Sequence, residues 1–74
     1  MKTTRIRKER IRRGWTQGYV ADYCGVAAQT VCDWEKGRHK PSYDTLDKLE
    51  DLFGLRRPEL FAVVYDDGSF SSTN

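Results

Sequence analysis

The sequence contains little cysteine and histidine, which limits the metal and disulfide chemistry open to it. Its two cysteines, Cys24 and Cys32, lie eight positions apart, and His39 is the one histidine. This spacing does not match the ligand patterns of structural zinc sites, so the sequence predicts no metal site and no cofactor. A disulfide is not expected in a reducing cytosol. Cys24 is expected in the core, as a small apolar residue. Cys32 is expected near the surface, and an inert thiol is favoured there over a redox-sensing one.

Long hydrophobic segments are also missing. No apolar run approaches the roughly 20 residues that a membrane-spanning helix requires, and no hydrophobic signal segment begins the chain. The sequence therefore predicts a cytoplasmic protein with no membrane partner. Its 74 residues allow one domain with a small core, and leave no room for a regulatory domain that binds a small-molecule ligand.

The residue patterns of enzymes are absent as well. The sequence has no paired carboxylates, no nucleophile next to a base and no glycine-rich phosphate-binding loop. His39 lies in a short basic segment, and no acidic residue stands at a spacing that suggests a catalytic pair. We therefore expect the protein to act by binding alone and not as an enzyme.

Positive charge is concentrated in the first half of the chain. Residues 1–40 contain ten Lys or Arg and four Asp or Glu, which gives +6, whereas residues 41–74 contain three and seven, which gives −4. The two values sum to the net charge of +2 for the whole chain. A basic half on a small domain suggests an anionic partner, and nucleic acid is the usual one.

The segment from Thr16 to Gly37 predicts two short helices around a glycine turn. Thr16 can cap a helix over residues 17–24, and Gly25 can end it because glycine adopts positive φ at low cost. The next helix is expected at about residues 28–36. Two short helices around a tight turn form the helix-turn-helix unit. Their apolar faces consist of Val20, Ala21 and Cys24 in one helix, and of Val31 and Trp34 in the other.

Three further helices are expected around this unit. The first covers residues 3–14, with Thr3 or Thr4 as its cap. The fourth begins after Ser42, and the fifth, near residues 57–62, has Pro58 in its first turn, where proline is tolerated. The apolar face of the fourth helix consists of Leu46, Leu49, Leu52 and Phe53. A mostly solvated basic face is expected on the first helix at Arg5, Arg7, Lys8, Arg12 and Arg13.

These features together resemble a known family. The chain is similar to the phage-repressor and Cro type of helix-turn-helix domain, the XRE family, over roughly residues 5–61. The combined pattern is specific, although each of its parts alone would be a weak signal. The matching residues are Arg10, Thr16, Gln17, Val20, Ala21, Gly25, Val26, Val31, Trp34, Glu35, Gly37, Pro41, Ser42, Thr45, Leu46, Leu49, Phe53, Gly54, Leu60 and Phe61.

The resemblance implies a fold and a division of the chain. The fold is all-α, a compact five-helix phage-repressor-like domain with the helix-turn-helix at helices 2 and 3 and a short C-terminal extension that can be β. We expect the DNA-binding domain to cover residues 1–62 and a tail to cover residues 63–74.

The resemblance also implies that helix 3 lies in the major groove of DNA. Gln29 is the strongest base reader, because its amide can pair with adenine N6 and N7. Asp33 can accept from cytosine N4, or repel phosphate and so reject wrong sequences. Ala27, where the family usually has Ser or Thr, cannot cap this helix. The expected base-reading residues are Ala28, Gln29, Thr30, Cys32 and Asp33.

Other residues are expected to contact the DNA backbone or to hold the fold. The basic loop over residues 36–41 looks like a set of phosphate clamps beside helix 3. The resemblance implies an ion pair between Arg10 and Glu35, which suits a planar guanidinium and a carboxylate. The expected backbone contacts are Gln17, Lys36, Arg38, Lys40 and Arg12.

The tail has the least familiar sequence. Residues 62–65 are β-prone and residues 66–69 are a turn signal before Phe70, so the segment can pair with its twin in a dimer, form a hairpin or be partly ordered. The last residues, 71–74, are expected to be frayed. The expected dimer interface consists of Pro58, Phe61, Val63 and Tyr65.

The sequence therefore predicts a sequence-specific regulator of transcription that binds double-stranded DNA. We expect a repressor or a Cro-like phage switch protein that binds its operator as a homodimer. The alternative is a protein-interaction module on the same fold: an antirepressor, an antitoxin or an adaptor. Ala27 and Ala28 keep this alternative open, because they offer few hydrogen-bonding groups to a base.

Overall fold

The helices predicted from the sequence are present, together with two short strands. A computed structural model describes residues 2–65 of the chain. In these residues the elements are β1 (Lys2–Thr4), α1 (Arg5–Arg12), α2 (Gln17–Cys24), α3 (Ala28–Glu35), α4 (Tyr43–Phe53), α5 (Arg57–Leu60) and β2 (Val63–Tyr65). The predicted five-helix fold is confirmed, and the two strands form one small sheet.

Side-chain caps and a glycine turn set the ends of the helices, as predicted. The Thr16 hydroxyl accepts a hydrogen bond from the Tyr19 N–H at 3.0 Å, and the Ser42 hydroxyl accepts one from the Thr45 N–H at 3.4 Å. Each bond satisfies one of the free N–H groups that begin a helix. Gly25 ends α2 with φ at +72°, a left-handed conformation that residues with a side chain rarely adopt.

The first helix is shorter than predicted. We expected it over residues 3–14 with a threonine cap, but α1 covers Arg5–Arg12 and Thr4 makes no side-chain capping bond. Instead, the Thr4 hydroxyl donates to the backbone carbonyl oxygen of Glu35 at 3.1 Å. The reason is that the preceding residues are extended and paired with a distant strand, which local sequence patterns do not show.

That partner is β2, so the β-prone segment pairs within its own chain. The strands are antiparallel, with Lys2 opposite Tyr65 and Thr4 opposite Val63. Next to the sheet, the Arg5 N–H donates to the Ala62 carbonyl oxygen at 2.9 Å, which satisfies an N–H group at the start of α1. The predicted turn at residues 66–69, Phe70 and the predicted frayed end at 71–74 lie outside the described residues.

The core is built from side chains of all five helices. The predicted apolar faces of α2 and α3 are both inside, and Leu49 and Phe53 fill the core from α4. Leu46 and Leu52 are only half-buried, at the margin of the face predicted for α4. The buried apolar residues are Ile6, Val20, Ala21, Cys24, Val31, Trp34, Leu49, Phe53 and Leu60.

A buried carboxylate neutralises much of the basic face of α1. Glu9 is 8% exposed and accepts hydrogen bonds from Arg5 at 3.2 Å, Arg12 at 2.7 Å and Arg13 at 2.7 Å. These residues stand three or four positions from Glu9, where side chains meet on a helix. The expectation of a mostly solvated basic face is therefore wrong for Arg13, whose side chain is 24% exposed, whereas Arg5 and Arg12 are paired with Glu9 but remain 38% and 57% exposed.

Arg13 also ties α1 to α4. Its Nη2 atom donates to the Phe53 carbonyl oxygen at 2.8 Å, and its guanidinium lies 5.4 Å from the Trp15 ring centroid and 5.3 Å from that of Phe53. These distances are typical of cation–π contacts. The arginine thereby satisfies an otherwise free carbonyl at the end of α4 and packs Trp15 against the core.

Replacing Glu9 with glutamine should make folding less sensitive to acid. The hydrogen bond from Arg12 lowers the pKa of Glu9 below its ordinary value of 4.5, although burial opposes this effect. Such a carboxylate contributes stability that is present above its unfolded pKa and lost as the pH falls through the folded pKa. We expect the free energy of unfolding, measured in urea, to decline below pH 4.5 in the natural chain and less steeply in Glu9→Gln.

The exposed Asp22 provides a matched control, because Asp22→Asn removes a carboxylate that makes no hydrogen bond or ion pair within residues 2–65. This control should follow the natural chain through the acid range. Parallel pH profiles for Glu9→Gln and the natural chain would show that the Glu9 cluster does not stabilise the fold.

Candidate nucleic-acid interface

The α2 and α3 helices are joined by a turn of residues 25–27. The Gly25 N–H donates to the Asp22 carbonyl oxygen at 3.3 Å, and the Val26 N–H donates to the Ala21 carbonyl oxygen at 3.0 Å. Val26 also packs against the core. These bonds close the end of α2 and direct the chain sharply into α3, which is the arrangement of a helix-turn-helix unit.

The α3 helix has one buried face and one open face. Val31 is fully buried and Trp34 is 2% exposed, whereas Ala28 and Gln29 are exposed and Thr30 is half-buried. A helix that repeats every 3.6 residues separates these two sets. The polar side chains near the N-terminus of α3 are therefore accessible to a partner, while its apolar side chains anchor it to the fold.

An uncapped turn begins α3. Ala27 is the N-cap residue and makes no side-chain hydrogen bond, as the sequence predicted. The Thr30 N–H instead donates to the Ala27 carbonyl oxygen at 2.9 Å. The first turn of α3 is thus held by backbone bonds and by the packing of Val31.

A chain of polar contacts crosses the open face of α3. The Gln29 amide Nε2 donates to Asp33 Oδ1 at 3.2 Å, and the Arg38 Nη1 atom lies 3.6 Å from the same oxygen. The i,i+4 spacing of Gln29 and Asp33 could have predicted the first contact. Asp33 therefore holds the Gln29 amide and lies beside the positive charge of Arg38. Cys32, also expected on this face, is half-buried with a free thiol.

The loop after α3 presents positive charge next to this face. Lys36, Arg38, His39 and Lys40 are all exposed. Gly37 has φ at +76°, which turns the chain at the end of α3. The sequence therefore places a group of cations beside the C-terminal end of α3, opposite its uncapped start.

Two other expected backbone contacts are held by carboxylates. The Gln17 amide Nε2 donates to Glu35 Oε1 at 3.1 Å. The side chain of the first residue of α2 is therefore bound to the last residue of α3. The Arg12 guanidinium is bound to Glu9, yet its side chain is 57% exposed. Both groups retain further donors, since an amide carries two and a guanidinium five.

The Arg10–Glu35 pair implied by the family resemblance is present and bidentate. Arg10 Nε lies 2.6 Å from Glu35 Oε2, and Arg10 Nη2 lies 3.2 Å from Oε1. A third donor, Nη1, binds the Trp15 carbonyl oxygen at 2.8 Å. The side chains are 12% and 1% exposed, so both charges are shielded from water and depend on each other.

Glu35 joins four elements at one point. Its carboxylate accepts from Arg10 of α1 and Gln17 of α2, and its backbone carbonyl accepts from Thr4 of β1. Because Glu35 is the last residue of α3, these bonds fix the position of that helix end. The sequence motif indicated the Arg10 contact, but nothing in it indicated Thr4 or the inward turn of Gln17.

The residues expected at a dimer interface belong to α5, to its C-cap and to β2. Pro58 is exposed, Val63 is 65% exposed and Tyr65 is 68% exposed. Val63 and Tyr65 are two apart on a strand and therefore share a face. Phe61 is half-buried and also packs against the core. Val63 and Tyr65 therefore present exposed apolar side chains on one face of the sheet.

Two titratable groups outside the interface are shifted by their surroundings. The hydrogen bond that the Tyr23 hydroxyl donates to Asp51 raises the pKa of Tyr23, and burial raises the pKa of the Cys24 thiol. Neither group ionises more readily near neutral pH, because a raised pKa keeps a phenol or a thiol protonated. Within residues 2–65, no cluster of three His, Cys, Asp or Glu could hold a metal.

The described helices are also all too short or too polar to cross a membrane.

Comparison with known proteins identifies the family of this fold. The family model HTH_3, described as helix-turn-helix, matches residues 6–60. The chain is 38% identical over 64 residues to an uncharacterized HTH-type transcriptional regulator from Archaeoglobus fulgidus, which covers 86% of this chain and 89% of that relative. No solved structure matches the chain.

Two bacterial relatives have slightly lower sequence identity to the chain. The chain is 35% identical over 60 residues to the HTH-type transcriptional regulator AnsR from Bacillus subtilis and to the cryptic phage CTXphi transcriptional repressor RstR from Vibrio cholerae. Each match covers 81% of this chain, but only 52% of AnsR and 54% of RstR. The chain thus spans about half the length of these two relatives and most of the archaeal one.

Replacing Arg10 with methionine should destabilise the fold by about 3–5 kcal/mol, because it leaves the buried Glu35 carboxylate without its cation. The double variant Arg10→Met/Glu35→Leu should regain most of that loss, since apolar side chains of similar volume can replace a buried pair. Urea unfolding of the two single variants and the double variant measures the coupling between the positions.

An additive result would contradict this interpretation. If the double variant lost as much stability as the two single variants combined, the two side chains would not depend on each other. The Arg38–Asp33 pair, in which the Arg38 side chain is 60% exposed, is the matched control, because breaking it should change stability by less than about 1 kcal/mol.

Proposed function

The chain belongs to the helix-turn-helix family of the phage-repressor (XRE) type, and on that premise we propose that it is a sequence-specific regulator of transcription that binds double-stranded DNA. The observation that supports this most is the open polar face of α3 beside a basic loop. A helix enters the major groove only if its reading side chains are exposed and its other face is anchored.

Base reading in this proposal depends on Gln29. An amide can pair with adenine N6 and N7 at once, and the contact with Asp33 holds the Gln29 Nε2 group in one orientation. Thr30 can bind a base or a phosphate, and Ala28 can contact the methyl group of a thymine. In this proposal Asp33 has two roles. It holds the Gln29 amide in place, and it can accept a hydrogen bond from cytosine N4. Cys32, half-buried on the same face, would contribute packing at the groove edge.

Phosphate binding in this proposal comes from the residues around α3. Lys36, Arg38 and Lys40 would bind the strand beside the end of α3, and Gln17 and Arg12 the strand near α2. Such contacts set the position of the protein on the duplex and supply affinity, but carry little sequence information. Their charge makes binding strongly dependent on salt, because each neutralised phosphate releases condensed counterions.

We further propose that the protein binds its operator as a homodimer. Two copies would place their α3 helices about 34 Å apart, one turn of DNA, on a nearly palindromic site. The interface would consist of Pro58, Phe61, Val63 and Tyr65, and the exposed apolar side chains of Val63 and Tyr65 support the assignment.

The regulator would act as a repressor or as a Cro-like switch protein of phage type. Binding of an operator by a small domain blocks transcription by occupying the DNA, and this needs no further activity. RstR, a relative of similar identity, is named as a phage repressor, which supports this direction of control.

Gln29→Ala and Lys40→Ala should weaken DNA binding in different ways. Loss of a base-reading amide should reduce discrimination at one position by about 1–3 kcal/mol, so affinity falls for the preferred duplex and much less for others. Loss of the Lys40 charge should weaken all duplexes alike and reduce the salt slope by about 0.9. The measurement is a titration of each variant against a panel of single-base variants of a duplex selected from a random pool.

Lys48→Ala is the matched control, since it removes the same charge from the distant acidic side of α4. Equal losses across the panel for Gln29→Ala and Lys40→Ala would argue against reading by α3. A flat affinity between low and moderate salt would argue against phosphate binding altogether.

A further inference from the structure

The cations of this fold fall into two groups. Most arginines are bound to carboxylates, as in the Glu9 cluster and the Arg10–Glu35 pair. By contrast, several lysines and arginines, Lys48 among them, make no hydrogen bond or ion pair with any residue of the described part of the chain, 2–65, and four of these cations border one cleft. They are Lys2, Arg7, Lys36 and Lys40.

This cleft lies between the sheet and the end of α3. It has a volume of about 600 Å³, and β1 and the first turn of α1 form one wall, whereas the end of α3 and the loop after it form the other. Trp34, Phe61 and Val63 supply apolar lining. His39 is a further lining residue from the loop. The pairing of β1 with β2 holds Lys2 at this position, although it is far in sequence from the loop.

No free carboxylate balances these cations within the cleft. Glu35 is the acidic residue among its described lining residues, and its carboxylate is already bound by Arg10 and Gln17. Four cations facing one concave surface attract an anion with several charges. The nearest acids on α1 and α3, Glu9 and Asp33, are likewise bound to arginines.

We propose that this cleft is a second backbone site for DNA, which binds a phosphodiester segment next to the one bound by the loop after α3. The proposal rests on the proposed function and extends the interface from the helix-turn-helix unit to β1 and α1. Lys36 and Lys40 belong both to the loop and to the cleft, so a strand that passes the end of α3 meets Lys2 and Arg7 next. Duplex DNA carries one charge per about 1.7 Å of its axis, which suits a continuous row of cations.

The occupant meets the cleft through its cations, because Phe61 and Val63 belong to the proposed dimer interface. Phosphate oxygens would bind Lys2 and Arg7 beside the cations of the loop. In this arrangement Lys2 and Arg7 bind without reading sequence, since contacts to phosphate and sugar carry no direct base information. The site therefore adds affinity, and β2 contributes by keeping β1 beside the loop.

Removing the two new cations should weaken binding uniformly. We expect Lys2→Ala and Arg7→Ala each to raise the Kd by about 3- to 10-fold at moderate salt, and the double variant to reduce the salt slope by about 1.8. The experiment titrates each variant against a duplex selected from a random pool and against an unrelated duplex at several salt concentrations. Circular dichroism melting of each variant checks that it is folded.

Two controls isolate the role of the cleft. Lys48→Ala removes one charge from the side of α4 that carries Asp47, Glu50 and Asp51, and should change the Kd by less than about 2-fold. The charge-conserving pair Lys2→Arg/Arg7→Lys should keep natural affinity if charge in the cleft is what matters. An unchanged salt slope in the Lys2→Ala/Arg7→Ala variant would overturn the proposal.

The remaining outcomes separate this proposal from the proposed function. If the natural chain binds its selected duplex with Gln29-dependent preference while Lys2 and Arg7 behave like Lys48, the cleft proposal alone fails. If the natural chain binds no duplex at low salt, both fail. If the double variant loses binding to poly-glutamate but keeps its affinity for DNA, the cleft serves an acidic protein and the DNA assignment is overturned.

Discussion

The buried carboxylate of Glu35 is the contact on which the rest of this fold depends. It stands at the end of α3 and is bound by Arg10 and Gln17, while its backbone carbonyl accepts from Thr4. A charge that is 1% exposed has no solvent to satisfy it, so these partners must remain in place. Glu35 therefore ties three helices together through its carboxylate and one strand through its backbone carbonyl, and so fixes the direction in which α3 faces.

The same arrangement separates structural charge from charge that can bind a partner. Glu9 and Glu35 occupy most arginines of α1, so the excess positive charge of the first half of the chain appears elsewhere, beside the end of α3 and at β1. The α3 helix buries Val31 and Trp34 and leaves Gln29 open. An anchored helix with a polar open face and flanking cations suits a duplex, in which base edges lie between two phosphate strands.

Local chemistry made much of this fold predictable, and distant pairing accounts for what was missed. Thr16, Gly25 and Ser42 mark helix ends through caps and positive φ, which depend on a few neighbouring residues. The burial of Val31 and Trp34 also follows from helical spacing. The pairing of β1 with β2 was missed, because it joins residues 59 to 63 positions apart and a threonine before a helix equally suggests a cap. For the site, the exposed face of α3 followed from the sequence, whereas the cleft around Lys2 required the sheet.

The most direct test is a titration of isotopically labelled protein with a duplex selected from a random pool, followed through its amide chemical shifts. We expect the largest changes at residues 28–30 and 36–40, with Leu49 and Phe53, which are buried in the core, keeping the environment that they have in the free protein. Shifts concentrated on the acidic side of α4, at Asp47, Glu50 and Asp51, with α3 unaffected, would contradict the assignment of α3 as the DNA-reading helix.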